Sequence, residues 1–136
     1  MALPMVGGNG GLDTLAAVDV VLWIAAAVLA VLAMSCGLAA TVAPGLERGV
    51  RIGVELAQGL MFVLVGADLL AWAAGGSPEE PVVHVGYCVA AVALIPLVIM
   101  RPKGEDGTEP EPSSLWVLVI AVAAVAVVVW RMAATR

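Results

Sequence analysis

Charge is what this chain has least of. Only 12% of its 136 residues are charged, against about a quarter in an ordinary soluble domain. That is too few to coat a water-facing surface. Aromatic residues are sparse as well, with four Trp, one Tyr and one Phe. A net charge of −5 argues against nucleic acid as a partner, because a phosphate backbone calls for a basic face. A single His rules out bis-histidine haem ligation within one chain. Met61, Met100 and Met132 show no spacing that suggests a His–Met site. Zinc wants three or four N or S ligands, and the sequence gathers no such set, so neither metal nor cofactor is expected. Cys36 and Cys88 fall at opposite depths of their segments, too far apart for a disulfide, and read as small apolar packing residues. There is no nucleophile elbow, HExxH motif or phosphate loop. Nothing basic precedes the first apolar run, which argues against a secretory leader.

What fills the chain instead is apolar sequence, 62% of residues, with a mean hydropathy of +1.08. Runs of about 18 or more apolar residues cross a bilayer. Four are present: Ala16–Val42, Val50–Ala74, Val82–Met100 and Leu115–Trp130, the last extending through Ala134. They do not alternate, so helices are expected rather than a barrel. The predicted fold is therefore all-α: a polytopic membrane protein, an antiparallel four-helix transmembrane bundle of the bacterial plasma membrane. Residues 1–15, with the glycine cluster Gly7–Gly11, read as a flexible tail, and 16–134 as the transmembrane domain.

Ala43-Pro44-Gly45 stops the first helix. Gly75–Pro81 is a tight turn, and 101–114 is a polar loop carrying Glu105, Asp106, Glu109 and Glu111. Ser113 or Ser114 can cap the fourth helix, and Pro96 should kink the third near residue 92. Orientation follows Lys and Arg. Arg48 and Arg51 flank the first loop and Arg101 and Lys103 the third, which places both loops in the cytoplasm and both termini outside. Arg131 and Arg136 oppose that arrangement but are outnumbered. Trp23, Trp72, Trp116 and Trp130 read as interfacial anchors.

Ionisable residues inside apolar helices are costly and tend to face the bundle interior. Asp19, Asp68, His84, Tyr87 and Arg131 all fall toward the outer half, on different helices. They form a candidate ligand or proton site, with His84, Tyr87 or Arg131 as the partner of Asp68. The plainer reading places Asp19, His84 and Arg131 at the headgroup level. Arg51 and Glu55, four apart, form a candidate cytoplasmic ion pair, with Gln58 one turn on. Gly59 and Gly66 mark a helix-contact face.

The stretch Arg51–Pro102 carries a Gly-Ser-Pro turn, His84, Gly86-Tyr87 and a basic stop at Arg101. In these features it resembles a loose group of small four-helix integral membrane proteins of high-GC bacteria. The resemblance implies architecture only. The expected function is that of a non-enzymatic accessory or assembly subunit of a larger respiratory or transport complex, its partners being the lipid bilayer and other membrane subunits or copies of itself. Two alternatives are a small oligomeric transporter or channel lined by Asp68 and His84, and a small membrane enzyme using the same two residues as an acid–base pair.

Overall fold

The computed structural model describes residues 9–100, 106–107 and 114–135. Helix α1 spans Asn9–Thr41, a short 3-10 turn Pro44–Leu46, α2 Glu47–Ala73, α3 Pro81–Ile99 and α4 Leu115–Ala134. Each of the four carries a segment long and apolar enough to cross a membrane: Ala16–Thr41, Pro44–Ala73, Pro81–Ile99 and Leu115–Ala134. These match the four expected spans to within one residue at every end but one, since the second begins at Pro44, six residues before the expected Val50. The tail boundary differs as well. Helix α1 begins at Asn9, inside the segment read as a tail, because the glycines there do not outweigh the long apolar helix that follows. The rest of that segment lies outside the described residues, as do Arg101, Lys103, Arg136 and Glu105, Glu109 and Glu111 of the acidic loop.

Turn chemistry fixes how α2 hands over to α3. Gly75, at φ +111°, adopts a left-handed conformation that a Cβ disfavours. Its N–H donates to the Trp72 carbonyl, and that of Gly76 donates to the Ala71 carbonyl. This is a Schellman closure, which satisfies carbonyls at the end of a helix. Pro81 then opens α3, where its missing N–H costs nothing. At α4, Ser114 Oγ accepts from the Val117 N–H at 3.3 Å, the expected cap.

The core is laid out in steps of three and four. Buried residues fall at Val50, Val54, Ala57, Met61, Leu64, Asp68 and Ala71 on α2, and at His84, Cys88, Ala91 and Ile95 on α3. On α4 the same spacing runs through Leu118, Val122, Val125, Val129 and Met132. On α1 it includes Leu22, Leu29, Ala33 and Cys36. A 3.5-residue repeat on every helix is the pattern of knobs-into-holes bundles. The helices form a ring in chain order. Among the described residues, α1 and α3 lie on one diagonal with no Cα atoms within 8 Å of each other, and α2 approaches α4 little. Asp68 and His84 occupy core positions of this repeat, which is why both point inward.

Pro96 shapes the contact between α2 and α3. It has no N–H to offer the Val92 carbonyl. That carbonyl instead accepts from Gln58 Nε2 of α2 at 3.0 Å. Gln58, expected only as a neighbour of Glu55, thus ties α2 to α3 across the bundle.

Candidate functional site

The α2–α3 turn folds back so that Asp68, near the end of α2, meets His84, in the first turns of α3. His84 Nε2 lies 2.6 Å from Asp68 Oδ2. Both residues are sealed from the surface, at 0% exposure for Asp68 and 1% for His84. A carboxylate and an imidazole with no access to solvent pay a large desolvation cost unless they face each other at hydrogen-bond distance, as they do here.

The other His84 nitrogen looks to α4. Nδ1 lies 3.4 Å from Thr135 Oγ1. The Thr135 hydroxyl is within donating distance of the Arg131 carbonyl at 3.1 Å and the Met132 carbonyl at 3.3 Å. With its proton directed to those carbonyls, Oγ1 accepts from Nδ1–H. Nε2 is then the nitrogen that shares a proton with Asp68. The tautomer is set by the second partner of the ring, as is usual for histidines at functional sites. Trp72 closes one side, its ring edge-on to the imidazole at a centroid distance of 6.4 Å and an interplanar angle of 88°.

One turn into α3 from His84 stands Cys88, also buried. Its Sγ is 3.8 Å from Asp68 Oδ2 and 3.7 Å from Met132 Sδ on α4. The ligand-bearing atoms of Asp68, His84 and Cys88 all lie within 4.8 Å of one another. Three helices therefore converge on a compact polar centre of carboxylate, imidazole, thiol and thioether.

Of the three candidate partners for Asp68, the structure brings it to His84. Tyr87 and Arg131 meet each other instead, Arg131 Nε donating to the Tyr87 hydroxyl at 3.4 Å, with Arg131 exposed and Tyr87 half-buried. Asp19 is half-buried on α1, one turn before the core residue Leu22. At the far end, helical spacing offers Glu55 as the partner of Arg51. Arg51 also reaches back to Glu47, Nη2 to Oε1 at 2.8 Å. Glu47, Arg51 and Glu55 border the same shallow surface depression beside the 3-10 turn. An acid one turn N-terminal to its base is the better helical order, and the Arg51–Glu47 pair has it.

Sequence reasoning missed Cys88, Met132 and Thr135. Cys88 reads as a packing residue by composition, although it stands four residues after His84 and so on the same helix face. Trp72 reads as an interfacial anchor, but it is half-buried and touches the imidazole. Chemically, the centre can hold a proton between Asp68 and His84 or exchange it for a cation.

No protein-family model, curated protein or solved structure matches the chain.

Proposed function

We propose that the chain is a non-enzymatic multi-pass protein of the bacterial plasma membrane. In this reading it is an antiparallel bundle with both termini outside, and it serves as an accessory or assembly subunit of a larger respiratory or transport complex. Its own contribution is the polar ligand centre at Asp68 and His84, near the outer boundary.

The observation that carries this reading is that the centre is blind. Beyond Asp68 and His84 the core is filled by Met61, Val54, Ile95, Val122 and Val125, each at most 1% exposed. A close-packed apolar interior of that kind leaves no room for a hydrated path. A single copy is thus suited to binding at one end and poorly suited to conduction. Transport through this chain would need a path between copies. The outward faces agree with a subunit role. Among the described residues a Cβ added at Gly59 or Gly66 of α2 would meet nothing within 4 Å, so the contact face expected there is left open by the described helices. Small residues let a second membrane helix approach closely.

Purification of the full chain from its native membrane in mild detergent tests the proposal. Partner subunits should co-elute in fixed ratio. A monodisperse elution of this chain alone, with cation flux in liposomes that Asp68→Asn abolishes, would replace the subunit reading with the transporter.

A further inference from the structure

The geometry points to one zinc ion at the polar centre, bound by Asp68, His84 and Cys88, with the Met132 sulfur closing the fourth side. This rests on the reading of Asp68 and His84 as a ligand centre and names what the centre takes.

Ligand identity comes first. Carboxylate oxygen, imidazole nitrogen and thiolate sulfur are the three donor types zinc uses in proteins. Here one of each comes together from two helices, within 4.8 Å. Two of the spacings also fit. A tetrahedral shell with Zn–S about 2.3 Å and Zn–N or Zn–O about 2.0 Å has ligand-to-ligand edges of about 3.3–3.8 Å. The Cys88–Asp68 and Cys88–Met132 separations are already 3.8 and 3.7 Å. The Asp68–His84 separation of 2.6 Å is short. It must widen by about 0.7 Å to reach a tetrahedral edge, and it does so by losing the proton held between the two atoms.

Charge selects a divalent ion. Binding displaces two protons, the one shared by Asp68 and His84 and the one on the Cys88 thiol. A dication replaces two protons with no change in net charge. That matters where uncompensated charge in an apolar bundle is costly. A cuprous ion displacing both protons would leave a net negative charge.

The surroundings complete a metal site. His84 Nδ1 stands 3.4 Å from Thr135 Oγ1, a contact that holds the ring with Nε2 facing Asp68. Outer hydrogen bonds of this kind orient histidine ligands and are worth about 10–100-fold in metal affinity. His84 is the fourth residue of α3, so the centre lies within about a turn of the bundle end, a short route of entry.

The experiment uses the full chain in detergent, stripped with chelator, then titrated with Zn2+ and separately with Co2+. Wild type should take up one zinc per chain. Cobalt should give the strong visible bands of a tetrahedral site and a thiolate-to-cobalt charge-transfer band. Cys88→Ser should lose the charge-transfer band and bind zinc at least about tenfold more weakly, and Thr135→Val should weaken zinc about 10–100-fold. Cys36→Ser should match wild type. Circular dichroism verifies that each protein is folded, with Cys88→Ala as the replacement should the serine variant fail. Folded wild type that takes up no zinc, weakly absorbing octahedral cobalt, a charge-transfer band that survives loss of Cys88, or uptake of cuprous ion in preference to zinc would each overturn the assignment. Co-elution of partner subunits is scored in the same preparation. Metal-free protein in an intact complex overturns the zinc site alone, whereas zinc-loaded protein with no partner supports the site and removes the subunit role.

Discussion

Asp68 and His84 stand sixteen residues apart in the chain and 2.6 Å apart in the fold, with their polar atoms sealed among apolar side chains. The separation spans the end of α2, a Schellman turn and the proline that opens α3. Each of those features is local, and together they set the register that brings carboxylate to imidazole. Cys88, Met132 and Thr135 then make the pair a centre rather than an isolated bridge.

The Gln58–Val92 hydrogen bond should depend on Pro96. Gln58→Leu in the native background should cost about 1 kcal/mol in detergent unfolding, the usual size for a membrane interhelical bond. In a Pro96→Ala background the restored backbone N–H becomes available to the Val92 carbonyl, and the same change should cost little. Equal costs in both backgrounds would mean that the side-chain bond does not compensate for the proline.

Gly53 faces α1 closely. A Cβ there would stand 3.1 Å from Leu32 Cδ1. Gly53→Val should destabilise the bundle by about 1–3 kcal/mol, as overpacking does, and Leu32→Ala should recover part of the loss. An additive pair would place the strain elsewhere.

Gly59 gives the opposite expectation, since nothing among the described residues would come within 4 Å of its Cβ. Gly59→Leu should leave the thermal unfolding of the isolated protein unchanged while reducing co-purification of partner subunits. Unaltered partner recovery would exclude this face from the interface.

Orientation can be read by cysteine labelling in intact cells. A cysteine introduced at Ser77, in the α2–α3 turn, should react with an impermeant reagent from outside, and one at Thr108 should not. Reaction at Thr108 alone would invert the topology and turn the polar centre toward the cytoplasm.

Much of this molecule is visible in the order of its residues. Long apolar runs define the spans because the bilayer fixes their length, and Pro44, Gly75 and Pro81 mark boundaries because their backbones allow little else. Asp68 and His84 stand out because an ionisable group inside such a run is rare. Cys88 and Met132 do not, since a thiol and a thioether look apolar by composition and only their place in the 3.5-residue repeat turns them toward His84. Arg51 has an acid one turn away on either side, and its pair with Glu47 is as open to spacing as one with Glu55. The role of Gln58 depends on a carbonyl freed in another helix, which no reading of its own neighbourhood reveals.

Asp68 and His84 hold each other inside the bundle, and the whole polar centre depends on that pairing. A double-mutant cycle with Asp68→Val, His84→Leu and the combined variant, followed by unfolding in detergent, tests it most directly. Each single change should cost about 2–4 kcal/mol, because it strands a buried polar partner. The combined variant should lie close to wild type, so that the coupling approaches the sum of the two single costs, about 4–8 kcal/mol, well above the range for ordinary membrane hydrogen bonds. Single costs that simply add would contradict the pairing.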